Sequence, residues 1–196
     1  MKNKIRFSVR NLLTAVGCAL IVGSLATVIW WHISASVYEK KCTEYSKTLS
    51  ESIPPVQNLY PESRSDNTMP IFEVDKVDFV ALLEFSAFDR TFPVANKWGD
   101  SEKYPCRFEG SVYDGSLVVG AADRSGQIDF VDKISVGDTV FVTDMTGGRY
   151  AYVIADIEHS DHADRRSLEK NDADFTIFVK KTMSFEYIII RCNIQE

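Results

Sequence analysis

Residues that bind zinc are scarce in this chain of 196 residues. It has four cysteines and three histidines, and they form neither a CxxC pair nor a Cys/His spacing suited to zinc. Cys18 lies in an apolar run, which leaves Cys42, Cys106 and Cys192 for the rest of the chain. The sequence therefore predicts no zinc site and no cofactor. A disulfide between Cys106 and Cys192 stays open, because the sequence does not show whether their strands are neighbours.

Basic charge is scarce outside the N-terminus. The formal net charge is -6, and the first ten residues contribute +4 through Lys2, Lys4, Arg6 and Arg10, so the remaining 186 residues carry -10. Nucleic-acid binding requires a basic surface that neutralises phosphates. The charge balance therefore predicts that nucleic acid is not a partner.

Charged side chains are missing altogether from Asn11 to Tyr38. Residues 12–33 are mostly apolar and long enough to cross a bilayer. Basic residues precede this run, which predicts a cytoplasmic tail (1–10), a single-pass anchor in the cell membrane (11–33) and an extracellular body. A signal peptide cleaved near Ser34-Ala35-Ser36 is the alternative, although the apolar run is long for a signal core of roughly 7–15 residues.

The rest divides into a juxtamembrane helix with a linker (34–75) and a β domain (76–196). Helix formers fill residues 37–52 and stop before two prolines, whereas residues 57–70 are polar and without periodicity. Beyond them, apolar runs alternate with turns, which predicts strands at 77–88, 115–119, 139–142, 150–157, 174–179 and 185–192. Short helices are predicted at 125–134 and 164–170. The expected fold is mainly β, a closed or nearly closed barrel with a few helices.

Several segments of this domain resemble, in the same order, segments of one enzyme family. The strand that precedes the histidine of sortases is similar to Leu117-Val118-Val119-Gly120-Ala121, and the strand that precedes their cysteine is similar to Asp174-Phe175-Thr176-Ile177-Phe178. Further matches are Leu83–Phe88 with Phe92–Val94, Pro105–Ser111, Val136–Val140, Tyr150–Val153 and Ile188–Cys192. The chain thus resembles class B and D sortases of Firmicutes over residues 79–193. This implies a sortase-like closed β-barrel of about eight strands, behind a transmembrane helix, on a Gram-positive cell surface.

The resemblance also implies where catalytic residues would lie. Sortases cleave a sorting signal with a cysteine and pass the acyl group to an amine, with help from a histidine and an arginine. The corresponding positions here are Ala122 for the histidine, Lys180 for the cysteine and Tyr187 for the arginine. A shift of one residue selects Ala121 or Asp123 instead of Ala122, and neither is a histidine. We therefore expect a pseudoenzyme without catalytic residues.

We expect the protein to bind a peptide although catalysis is lost, because sortase-like barrels hold an extended sorting-signal peptide in a groove. The groove candidates are Lys180, Phe178, Tyr187 and Arg124. Other aromatic side chains line either such a groove or the barrel core: Tyr104, Phe108, Tyr113 and Phe185. The expected partner is a peptide or surface protein, or an active sortase that the protein assists as a scaffold. Two alternatives stay open. One is an active or repurposed sortase-like, cysteine-independent transpeptidase or hydrolase, with Lys180 as its nucleophile or a metal held near His159 and His162. The other is a structural spacer in a membrane complex.

One polar stretch holds weak candidates for a metal site. His159, Asp161 and His162 lie together with Glu158 and Asp164, and carboxylates with imidazoles are able to hold a divalent ion. Such a stretch is more often an exposed loop. We therefore expect no metal.

Overall fold

The computed structural model describes residues 9–61, 67–100, 103–163, 168, 173–184 and 186–195. These residues form one α-helix and ten β-strands: α1 (Val9–Ser52), β1 (Gln57–Asn58), β2 (Phe72–Val74), β3 (Val77–Phe85), β4 (Arg90–Ala95), β5 (Cys106–Glu109), β6 (Leu117–Ala122), β7 (Thr139–Asp144), β8 (Gly148–Ser160), β9 (Phe175–Lys180) and β10 (Tyr187–Ile194). Short 3-10 turns occupy Ser86–Phe88, Trp98–Asp100 and Val131–Lys133. The chain forms two compact units, residues 1–37 and 38–196.

The first unit contains an apolar part of α1. Leu12–Trp30 has 19 residues and a mean hydropathy of 2.3, and none of it is buried. With a rise of about 1.5 Å per residue, this segment spans about 28 Å. The hydrocarbon core of a bilayer is about 30 Å thick. The segment is therefore long and apolar enough to anchor the protein in a membrane.

The later part of α1 belongs to the second unit. Cys42, Tyr45 and Leu49 are buried, and their spacing of three and four residues places them on one helical face. The ring of Tyr45 lies 5.6 Å from that of Phe79 and 5.7 Å from that of Tyr104. This part of the helix therefore covers the barrel and shares its hydrophobic core.

Eight strands close into a barrel in the order β3-β4-β5-β6-β9-β10-β8-β7, with β7 pairing back onto β3. The pairs β4/β5 and β6/β9 are parallel, and the other pairs in the ring are antiparallel. Closure leaves no unpaired edge within the ring. The predicted mainly β, closed barrel of about eight strands is confirmed.

Part of the predicted linker contributes to the second unit. Gln57–Asn58 forms β1, which pairs in parallel with the start of β8, and Met69 is buried at 1% exposure. The pairing of β1 could not be predicted from its polar composition, because strand pairing uses only backbone N–H and C=O groups.

The short helix predicted at 125–134 is wrong except for the turn Val131–Lys133. Gly126 takes a φ of +83°, which interrupts a right-handed helix. The buried Gln127 side chain also turns inward and accepts a hydrogen bond from the Ala122 N–H at 2.7 Å. The other predicted helix, 164–170, lies outside the described residues except for the buried Leu168.

A buried carboxylate fixes the turn between β7 and β8. Asp144 is fully buried and accepts a hydrogen bond from the Tyr113 hydroxyl at 2.8 Å. It also accepts from the Thr146 N–H at 2.8 Å, the Thr146 hydroxyl at 2.7 Å and the Gly148 N–H at 2.9 Å. These donors satisfy the charge that burial would otherwise penalise.

All four cysteines lie within the described residues, and no disulfide joins them. Cys106 and Cys192 are fully buried, and Cys42 is almost so. Burial raises the pKa of the Cys42 thiol to about 12, and it also raises the pKa of the Cys192 thiol. The Cys106–Cys192 pairing that the sequence leaves open is therefore not formed.

Candidate functional site

The positions indicated by the sortase resemblance lie side by side, where β6 and β9 end and β10 begins. In the parallel pair β6/β9, Ala122 lies opposite Lys180, and in the antiparallel pair β9/β10, Tyr187 also lies opposite Lys180. Adjacent strands are about 4.8 Å apart, and paired residues point to the same face. The fold thus brings Ala122, Lys180 and Tyr187 together around one spot.

These positions border a cavity of about 410 Å³ on the outer face of the barrel. The described residues that line it are Trp98, Phe108, Ala121, Ala122, Arg124, Ala163, Phe178, Lys180 and Tyr187. Small side chains on β6 leave the space open, while aromatic rings form its wall. All four predicted groove residues line this cavity.

The aromatic wall is a triad of Trp98, Phe108 and Phe178. Its ring centroids are separated by 5.3 Å for Trp98 and Phe108, 5.6 Å for Trp98 and Phe178, and 5.5 Å for the two phenylalanines. Trp98 and Phe108 remain 45% and 38% exposed. The three rings therefore pack against one another without a ligand and still expose apolar surface to which a ligand can bind.

Gly120 lets the rings approach β6 closely. A Cβ at this position would lie 2.5 Å from the Phe178 Cζ atom and 2.5 Å from Trp98 ring atoms. Real Cβ atoms do not approach other heavy atoms so closely, because the repulsion rises steeply at that distance. The absence of a side chain at Gly120 therefore permits the aromatic wall.

Among the described residues of the lining, both charged side chains are basic. Lys180 is exposed, and Arg124 lies half-buried with its guanidinium carbon 6.0 Å from the ring centroid of Tyr38 on α1. A cation over an aromatic face is attracted by the ring quadrupole. Tyr38 thus helps to hold Arg124 beside the cavity.

The next lysine has a different role. The Lys181 ammonium donates to Asp132 at 2.6 Å and lies 3.8 Å from Asp123, and the hydrogen bond to Asp132 raises the pKa of Lys181. Burial raises the pKa of Asp123, although the Lys181 charge opposes this shift. Lys181 therefore neutralises acidic groups beside the cavity, and Lys180 alone of the two lines it.

A short network braces the strand ends. The Asp123 N–H donates to the Lys180 carbonyl at 2.9 Å, and the Gln127 side chain holds the Ala122 N–H. On the other side of this loop, the Cys42 thiol donates to the Gly126 carbonyl at 2.8 Å. The loop after β6 therefore connects the cavity to α1.

Neither a thiol nor an imidazole belongs to the described residues that line the cavity. His159 lies on β8 opposite Ile188, and His162 and Asp161 follow in an exposed turn. Glu158 also lies on β8, where it pairs with Arg191 at 2.8 Å, so the expected polar loop begins later than the sequence indicates. No cluster of three or more potential metal ligands occurs among the described residues.

Comparisons with known proteins identify the fold. No family model and no curated protein matches this sequence. Sortase A from Corynebacterium diphtheriae superposes with a TM-score of 0.54 at 12% identity, covering 83% of this chain and 84% of that one. Sortase C from Clostridium perfringens gives 0.51 at 16% identity, with coverages of 83% and 89%.

A class D sortase transpeptidase from Clostridium perfringens also superposes, with a TM-score of 0.50 at 19% identity, over 61% of this chain and 80% of that one. The protein therefore has a sortase-like fold with an apolar N-terminal helix. The resemblance drawn from the ordered segments is confirmed at the level of the fold.

The sequence predicts some of the aromatic residues that line the cavity and misses others. Phe108, Phe178 and Tyr187 line it, whereas Tyr104 and Tyr113 are buried in the core. Phe185 lies outside the described residues. Trp98 is missed, and its only signal is a large aromatic residue in a polar turn.

Proposed function

We propose that this protein is a membrane-anchored, extracellular sortase-like pseudoenzyme that binds an extended peptide. The peptide belongs to a surface protein or to an active sortase that the pseudoenzyme assists during cell-surface protein assembly. The observation that carries the proposal is the register of Ala122 and Tyr187 with Lys180 at the rim of the cavity. The positions that correspond to the sortase histidine, cysteine and arginine carry a methyl group, an ammonium group and a phenol instead, which supports binding without acyl transfer.

Each side chain at these positions is unsuited to sortase chemistry. The methyl group of Ala122 cannot move a proton, and Tyr187 donates one hydrogen bond without a positive charge. A lysine ammonium is not a nucleophile until it loses a proton, and Lys180 is exposed to water. Nucleophile, base and cationic support are therefore all replaced.

The cavity remains suited to holding a peptide. Its volume of about 410 Å³ lies within the range of ligand pockets, about 300–1,000 Å³. Its aromatic triad supplies rigid apolar surface, which loses little conformational entropy on binding. These features support retention of binding after the loss of catalysis.

The first experiment tests for catalysis. The full chain in nanodiscs is incubated with a library of sorting-signal peptides and an amine acceptor, and products are detected by mass spectrometry. We expect no cleaved or transferred product, while an active sortase run in parallel gives one. Product formation by the folded protein would show that other residues have taken over the chemistry.

The second experiment separates a peptide-binding protein from a passive spacer. Partners are cross-linked in the membrane with the native chain and with a chain whose residues 12–33 are replaced by an unrelated anchor. We expect the same partners in both samples, because the barrel carries the binding site. Loss of every partner after the swap would favour the spacer.

A further inference from the structure

The loop after β6 (residues 123–128) lies between the cavity and α1. On one side, its Arg124 belongs to the lining of the cavity. On the other side, the backbone of Gly126 packs directly on the helix, since a Cβ at this position would lie 3.0 Å from the Glu39 nitrogen and 3.1 Å from the Tyr38 carbonyl carbon. A single segment of chain therefore borders the cavity and contacts the helix.

The two ends of this loop are fastened to the barrel. The Asp123 N–H donates to the Lys180 carbonyl at 2.9 Å, and the Ile128 N–H donates to the Ala122 carbonyl at 3.2 Å. The Gln127 side chain also accepts a hydrogen bond from the Ala122 N–H at 2.7 Å. These hydrogen bonds fix where the loop begins and where it ends.

The middle of the loop is held by α1. The Cys42 thiol donates to the Gly126 carbonyl at 2.8 Å, and the guanidinium carbon of Arg124 lies 6.0 Å from the ring centroid of Tyr38. Tyr38 and Cys42 are four residues apart, which places them on the same face of the helix. This face of α1 therefore holds the part of the loop that carries Arg124.

The ordering of Arg124 matters for a ligand, because a side chain that is already held loses less conformational entropy on binding. The Tyr38 ring attracts the guanidinium through its quadrupole, and Arg124 has a further interaction besides this one. Tyr38 itself lies outside the described lining of the cavity. Its effect on a ligand therefore passes through the side chain that it holds.

On the basis of the proposed function, we infer that Tyr38 is a positioning residue of the peptide-binding cavity, which holds Arg124 in place from outside the lining. The later part of α1 thus contributes to peptide affinity in addition to covering the barrel core. Removal of the Tyr38 ring weakens peptide binding although every group of the described lining is kept.

The test measures peptide binding to the full chain in nanodiscs of neutral lipid. The probe is the peptide that binds the native chain most tightly in a fluorescent library of apolar hexapeptides, as measured by fluorescence polarisation. Tyr38→Leu should weaken the binding of this peptide by about threefold, which corresponds to the cost of ordering one side chain. Tyr38→Phe should bind like the native chain, because it keeps the ring that attracts the guanidinium.

A double-mutant cycle shows whether Tyr38 acts through Arg124. Arg124→Gln should weaken binding by itself, and Tyr38→Leu should add nothing in the Arg124→Gln background, since the effects of coupled residues are not additive. Tyr60→Leu is the matched control, because Tyr60 is 61% exposed and lies outside the described lining. It should leave the affinity unchanged.

Each failure has its own signature. Equal binding by Tyr38→Leu and the native chain overturns the inference, and so does additive weakening in the double-mutant cycle, because Tyr38 then acts by a route other than Arg124. Equal weakening by Tyr38→Leu and Tyr38→Phe overturns it as well, since the ring is then not the cause. In these three cases the proposed peptide-binding function stands. Absence of binding to the native chain by the whole library contradicts both the inference and the proposed function.

Discussion

Gly120 sets how closely the aromatic wall approaches the outer face of β6. Gly120→Ala places a methyl group within 2.5 Å of Phe178 and Trp98. We expect the half-exposed Trp98 ring to move outward and the free energy of unfolding to fall by about 1–2 kcal/mol, as overpacking generally causes. Urea denaturation measures the loss. The movement of the Trp98 ring is followed by tryptophan fluorescence emission in a protein that also carries Trp30→Phe and Trp31→Phe, so that Trp98 is its only tryptophan.

Gly99→Ala is the matched control for this substitution. No heavy atom lies within 4 Å of a Cβ at Gly99, so stability and emission should stay near those of the native chain. A Gly120→Ala protein with unchanged emission would contradict the close packing described for the wall.

Asp144 is the residue whose loss we expect to cost most in the turn between β7 and β8. Asp144→Ala removes the acceptor for four hydrogen bonds and leaves the buried Tyr113 hydroxyl without that partner. A buried polar group left unsatisfied costs about 1–3 kcal/mol, so a loss of about 3 kcal/mol or more is expected by urea denaturation. Asp161→Ala, at an exposed position, should change stability by less than about 0.5 kcal/mol. Similar effects of the two substitutions would argue against Asp144 as the centre of the turn.

At the scale of elements, α1 has two different environments along its length. Its apolar first part suits a membrane, while its later part buries Cys42, Tyr45 and Leu49 against the barrel. Leu49→Ala should lower the free energy of unfolding by about 2–5 kcal/mol, since it leaves a cavity in the shared core. Lys47→Ala on the exposed side of the same turns is the control, as its ion pair with Glu51 at 3.8 Å lies in solvent. A small effect of Leu49→Ala, measured by chemical denaturation, would show that the barrel is stable without the helix.

Sequence patterns predict the strands whose residues alternate between apolar and polar or are continuously apolar. They fail where pairing with a neighbouring strand extends a strand through residues of low β-propensity. β6 continues through Gly120 to Ala122 although glycine and alanine are poor strand formers, because β9 pairs with it as far as Lys180. β5 is missed because it is short and its register shifts between Arg107 and Glu109. Both elements contribute residues to the lining of the cavity.

The stability of the whole protein depends on pH through buried thiol and phenol groups that stay protonated in the folded state. Burial raises the pKa of the Cys42 thiol from 9.0 to about 12, and burial also raises those of Cys192 and Tyr152. Because the unfolded chain loses these protons at lower pH than the folded chain does, stability is fully present below pH ~9 and falls as pH rises above it.

Each such group contributes a slope of about 1.4 kcal/mol per pH unit between its two pKa values. Urea denaturation between neutral pH and pH ~10, in a reducing buffer, should reveal this decline, and Cys42→Ala should make it shallower. An identical slope in Cys42→Ala and in the native chain would contradict the burial of this thiol in the folded state.

The composition of the site shows where prediction from sequence stops. The resemblance to sortases identifies Ala122, Lys180 and Tyr187 because Ala122 and Lys180 end recognisable strands and Tyr187 begins one. Trp98 and Tyr38 come from a turn and a helix whose neighbours in the fold are remote in the chain. Their contacts with Phe178 and Arg124 depend on tertiary packing, which no local pattern encodes.

The burial of every thiol in the second unit has a practical consequence. Cys42, Cys106 and Cys192 are at most 3% exposed. A water-soluble alkylating reagent should therefore not label these three thiols in the folded protein. Lys180→Cys introduces a single accessible sulfur at the rim of the cavity. Its rate of labelling in intact cells would report on which side of the membrane the barrel lies, and protection of that sulfur would reveal when a ligand is seated.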